Sequence, residues 1–156
     1  MTALVHRLFP GTDPDGLPLG CDSALSSAVH EFDRRNPEDD PVWFQYFDAA
    51  ELAAELGHCF RDVGRAADAT QHASQSLAAT GKATFERSDF FAAVVLADAY
   101  LAAGELEQAC GVALKALAAG EQLRSARCVN YLREFGQRLA AVGASPTVTE
   151  FHEQAR

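Results

Sequence analysis

A chain of 156 residues is long enough for one domain that buries roughly two thirds of its unfolded surface. The formal charge of −9, with Lys82 and Lys115 as the lysines, excludes the clustered basic surface that direct nucleic-acid binding needs. No apolar run approaches the roughly 18 to 20 residues of a membrane span, so no membrane association is expected.

Alanine makes up about a fifth of the chain and favours close-packed helices. The four cysteines, Cys21, Cys59, Cys110 and Cys128, show neither a C-x-x-C pair nor zinc-ligand spacing. With no signal peptide at Met1, they read as free thiols in a cytoplasmic protein.

In chain order, Pro10, Pro14 and Pro18 with Gly11, Gly16 and Gly20 make residues 1–20 a flexible arm. Residues 21–40 form an N-terminal cap, where Leu25, Val29 and Phe32 recur at helical spacing through Asp33, with Asp22 or Ser23 as the helix cap. Pro41 suits a first helical position, so the next helix is expected from Val42 to about Val63. That helix opens on an aromatic block, Trp43, Phe44 and Phe47, which is a candidate interface. It ends at Gly64 as a left-handed cap.

One pattern then appears twice, forty residues apart. Ala53, Leu56, Gly64, Ala69 and Ala73 superimpose on Ala93, Leu96, Gly104, Ala109 and Ala113, and Leu77-Ala78-Ala79 on Leu117-Ala118-Ala119. Gly57 with Ala97 and Phe60 with Tyr100 preserve size class. A fixed period of this length signals stacked helix pairs. Repeat 1 covers 41–81, with a second helix from Ala66 to Thr80 ended by Gly81. Repeat 2 covers 82–121, with helices from Phe85 to Ala103 (Ser88 or Asp89 as caps if the start is later) and from Glu105 to about Gly120. A half repeat and C-terminal cap occupy 122–156. There a helix from about Ser125 to Ala141 aligns at a shift of 39, and Ser145-Pro146 starts a short last helix reaching Gln154. The fold class is all-α, with about seven helices.

Leu56-Gly57, Phe60, Gly64 and Ala69, with Leu96-Ala97, Tyr100, Gly104 and Ala109, resemble the tetratricopeptide repeat. That resemblance implies α-α hairpins in a short right-handed solenoid. The period is forty instead of 34, and the closing proline is missing at Gly81. HEAT-like pairs have about this period but account less well for the Gly turn and the small residues. Over residues 41–141, the runs PVWFQYFDAAELAAELGHCFRDVGR, ADAYLAAGELEQACGVALKAL and LRSARCVNYLREFGQRL look like the C-terminal repeat region of actinobacterial helix-turn-helix regulators. The forty residues ahead of Pro41 hold no basic recognition helix, so that family's DNA binding is not carried over. What it implies here is a repeat scaffold in a regulatory setting.

In a tetratricopeptide hairpin the first helices line the concave face. Aligned by the Gly turns, that face receives Glu51, Ala54, His58, Arg61 and Asp62, then Phe91, Val94, Asp98, Leu101 and Ala102, then Asn130, Arg133 and Gln137. A groove of His58, Arg61, Phe91, Val94, Asp98, Asn130, Arg133 and Gln137 would hold a protein or peptide segment. Arg61 and Arg133 would anchor a carboxylate, unless they pair with Asp62 and Glu134. The aromatic block reads as helix packing, as a binding platform or as a homodimer contact.

His58, Cys59 and His72 point in different directions, so neither a metal nor another cofactor is expected. No P-loop, dinucleotide fingerprint, nucleophile elbow or H-E-x-x-H occurs, and an enzyme is not expected. The reading is a non-catalytic protein-binding module of bacterial regulation. The alternatives are a homodimerisation module and, after it, a small-molecule sensor or enzyme.

Overall fold

The computed structural model describes residues 20–79, 86–123, 125–143 and 145–155, and among them every regular element is helical. The expected arm over 1–19, the turn at Gly81 and the helix start at Phe85 lie outside the described residues. Seven α-helices follow in order: α1 (Cys21–Arg34), α2 (Ala49–Asp62), α3 (Ala66–Ala78), α4 (Glu86–Ala102), α5 (Leu106–Leu123), α6 (Ala126–Val142) and α7 (Pro146–Gln154). No described helix is long and apolar enough to cross a membrane.

Helices α2 and α3 form one antiparallel pair and α4 and α5 a second, and α4 also packs on both helices of the first pair. Helix α6 then contacts α4 and α5, and α7 contacts α5 and α6. The forty-residue period is copied into individual hydrogen bonds. The Gly64 N–H donates to the Arg61 carbonyl at 3.0 Å and the Arg65 N–H to Phe60 at 2.9 Å. The Gly104 N–H likewise donates to Leu101 at 3.1 Å and the Glu105 N–H to Tyr100 at 2.9 Å. Both glycines are left-handed, at φ 79° and 80°, and both sites are the 6→1, 5→2 helix ending that such a residue permits.

The superimposed alanines explain why the pairs sit so close. Ala69, Ala73, Ala109 and Ala113 are all buried, and a Cβ on Gly57 would lie 3.2 Å from the Ala73 nitrogen. A larger residue at these positions would force the helices apart.

Several helix boundaries depart from expectation. The helix expected from Val42 begins at Ala49, because the Asp48 carboxylate accepts from the Ala50 N–H at 2.8 Å and the Glu51 N–H at 3.1 Å. Residues Val42–Phe44 form a 3-10 turn instead, as suits a run of aromatic and β-branched residues with weak helix propensity. Asp48→Ala is expected to cost about 0.5–2 kcal/mol, as loss of an N-cap does, read as a lower urea midpoint. Asp22 lies inside the first turn of α1 rather than capping it, and pairs with Arg65. Ser88 and Asp89, caps only for a start later than Phe85, lie inside α4, which is already helical at Glu86.

Finally, α5 runs past Gly120 to Leu123. Gly120 is there for space: a Cβ on it would stand 2.8 Å from Cε2 of Phe90, whose ring is 1% exposed. For Gly120→Ala, overpacking costs about 1–3 kcal/mol and helix propensity returns about 1 kcal/mol. A net loss of about 1 kcal/mol is expected in urea unfolding, where propensity alone would give a gain.

Candidate functional site

The first helices of the pairs, α2 and α4, present a shared face that α6 completes. Asp98 of α4 stands at its centre, with a side chain 9% exposed. The Arg138 guanidinium of α6 donates to it at 2.6 Å, and Arg61 of α2 approaches it at 3.6 Å. Arg61 also binds Asp62 at 2.8 Å. These groups, with Tyr131 and Glu134, line a cleft of about 440 Å³.

Along the same face Tyr131 packs edge-on against Phe91, with centroids 5.3 Å apart. The Arg127 guanidinium lies 4.5 Å above the Phe91 ring and 5.5 Å from that of Tyr131. His58 stands 6.5 Å from Phe91. Burial first, then the positive charges of Arg61 and Arg127, push the His58 pKa down to about 4 against the opposing pull of Asp62. Burial likewise raises the Asp98 pKa despite its two arginines.

His58, Arg61, Phe91 and Asp98 therefore lie together, as the concave-face alignment expects. The other members do not join them. Val94 is 2% exposed and lies deeper in the same core cluster as Phe91, with Phe90, Ala116 and Leu132; Phe91 itself is 9% exposed and reaches the face only by its edge under Tyr131 and Arg127. Ala54 is buried as well. Asn130 is exposed and accepts from Arg133 at 2.8 Å, so Arg133 bonds an amide and not Glu134. Arg133 and Gln137 line a different cleft, on the side of α6 that faces α5 and α7.

The cause is register. The shift of 39 places the core of α6 correctly, since Phe135, Gly136 and Leu139 are buried. The face residues instead follow a shift of 40, which pairs Phe91 with Tyr131 and Asp98 with Arg138. One residue turns a helix by about 100°, enough to carry Arg133 and Gln137 round to the neighbouring side. Tyr131 and Arg138 were missed for this reason, and forty-residue spacing from Phe91 and Asp98 is the signal that finds them; Arg127, one turn before Tyr131, lies ahead of the stretch aligned as the face.

The two arginines on the Asp98 carboxylate are already satisfied. Arg127 forms no ion pair among the described residues; it is held against two rings and donates to the Tyr131 hydroxyl at 3.5 Å, which leaves its charge without a carboxylate partner among them. His72 stacks on Phe60 at 5.2 Å and does not reach this face. Among the described residues no group of three or more His, Cys, Asp or Glu is placed to hold a metal, and all four cysteines are buried free thiols.

The aromatic block divides in two. Phe44 and Phe47 are half-buried and stack on each other at 5.2 Å, with Phe47 edge-on to Phe32 of α1 at 6.0 Å. Trp43 is 75% exposed, touching Phe44 by its edge. Comparison with protein-family models, with curated proteins and with solved structures finds no match to this chain.

Proposed function

We propose that this protein is a non-catalytic, tetratricopeptide-like module that holds a protein or peptide segment across the face of α2, α4 and α6, in a regulatory setting like that of actinobacterial helix-turn-helix regulators. The observation that carries the reading is the composition of that face. Arg127, which forms no ion pair among the described residues, lies over Phe91 and Tyr131 and donates to the Tyr131 hydroxyl, beside a cleft walled by Asp98, Arg138 and Glu134. The duplicated glycine turns and the packing of each pair on the next support the solenoid part of the reading.

In this arrangement Arg127 takes a carboxylate of the segment. Tyr131 gives an apolar shelf, backed by the buried Phe91 ring, and Asp98, held by two arginines, faces the segment's backbone. The arginine anchor is thus Arg127, because Arg61 is occupied by Asp62 and Asp98. A peptide library displayed on phage and panned against the full chain tests this. Selected peptides should carry an acidic residue and lose about tenfold or more in affinity on Arg127→Glu or Tyr131→Ala. Peptides indifferent to both changes would remove the proposal.

A second reading, homodimerisation, is favoured by one observation. Val42, Trp43 and Tyr46 are 84%, 75% and 54% exposed on one turn and its flank, a cluster of large side chains of the kind enriched in interfaces. For a monomer, acrylamide is expected to quench the single tryptophan efficiently at every protein concentration. For a dimer, quenching falls as concentration rises, and Trp43→Ala restores a monomeric mass by light scattering.

A further inference from the structure

A second cleft lies on the other side of α6 from the face just described, and nothing in that face's chemistry explains it. It has a volume of about 600 Å³ and is floored by Leu117 and Gly120 of α5 and by Cys128 and Leu132 of α6. Its position follows from the length of α7. The second helices of the two complete pairs have 13 and 18 residues, but α7 has 9. Val148 and Phe151 of α7 pack on Ala109, Cys110 and Ala113 of α5 and on Phe135 and Leu139 of α6. Beyond Phe151 the same two helices continue their apolar faces, and Ala155 stands at the edge of the open lane. Helix α7 therefore sits in the near end of a groove between α5 and α6 that runs on past its last turn.

The rim adds a charge. Arg133 has only the neutral Asn130 amide as partner among the described residues, in a chain of formal charge −9. His152 lines the same rim. An apolar groove whose near end already seats a helix, with a guanidinium at its edge that forms no ion pair among the described residues, is complementary to one kind of occupant.

We propose that the cleft between α5, α6 and α7 docks an amphipathic helix of a partner protein, laid end to end with α7. Its apolar residues at i, i+3 and i+7 fill the lane over Leu117, Gly120 and Leu132, and an acidic side chain pairs with Arg133. This site is independent of the segment-binding face, and each can fail without the other.

The probe is a fluorescein-labelled synthetic helix of about fourteen residues with Leu at i, i+3 and i+7 and Glu opposite Arg133, titrated into the full chain by anisotropy. Saturable binding is expected. It should weaken about tenfold or more on Val129→Glu, at a wall position 53% exposed, and on Arg133→Glu. A probe with Lys in place of Glu should recover binding to Arg133→Glu, which shows that this variant is folded. Tyr131→Ala, on the opposite side of α6, should leave the affinity unchanged. Absence of saturable binding, binding indifferent to Val129→Glu and Arg133→Glu, or binding lost on Tyr131→Ala overturns the proposal. So does self-association of the chain that Val129→Glu abolishes, since it would give the lane to a second copy.

Discussion

Phe135→Ala is expected to destabilise the protein by about 3–5 kcal/mol, the cost of emptying a large buried aromatic site. The ring is 1% exposed and meets Phe151 edge-on at 5.3 Å. Around it gather Ala97 of α4, Ala109, Cys110 and Ala113 of α5, Leu139 of α6 and Val148 of α7. One side chain thus ties the last two helices to the second pair. Small residues surround it, and alanines cannot swing inward to fill a void. In a stack where each pair contacts only its neighbours, such a loss stays local at first. Hydrogen exchange is therefore expected to show α6 and α7 losing protection while α2 and α3 retain theirs. Urea unfolding should show a lower midpoint or a separate early transition. A variant that unfolds at the wild-type midpoint would mean that α6 and α7 are not held by this cluster.

Acid is expected to weaken the fold through His58. Its pKa of about 4 lies below the value of about 6.5 in an unfolded chain. The unfolded state therefore binds the proton more readily throughout that interval. The stabilisation from neutral His58 is complete above about pH 6.5 and is lost progressively as pH falls toward 4. Between pH 7 and pH 5 the loss amounts to about 2 kcal/mol. His72, whose pKa burial also lowers, adds to it with the same sign. Asp98 acts oppositely, because burial raises its pKa and the folded state keeps that proton longer, but its effect belongs to the carboxylate range at the acid end. Urea midpoints at pH 7 and pH 5 read the difference directly, and His58→Gln should remove most of it. A wild type equally stable at both pH values would show that His58 is not buried beside Arg61 and Arg127.

The scaffold was legible because its determinants are local and repeated. Gly64 and Gly104 announce the same turn, and the small residues at 57, 97, 73 and 113 report the close approach of paired helices. The helix start at Ala49 was hidden because Pro41 offers a plausible first position, whereas Asp48 wins by accepting two backbone hydrogen bonds. Gly120 read as a terminator because a glycine that stops a helix and one that makes room for Phe90 look alike in sequence. The face of α6 was misassigned by one residue. Buried side chains fix the register of α6 against its core at a shift of 39, while its contacts with α4 on the open face follow a shift of 40, so Asp98 meets Arg138 and not Gln137.

The central claim is that α2, α4 and α6 together present one recognition surface with Arg127 at its working end. Backbone chemical-shift mapping of the full chain, titrated with a peptide selected against it, tests this most directly. The account predicts that the largest shifts fall on His58, Phe91, Arg127 and Tyr131 and fade toward the outward positions of α3 and α5. Shifts centred on α3 and α5, with those four residues unmoved, would contradict it.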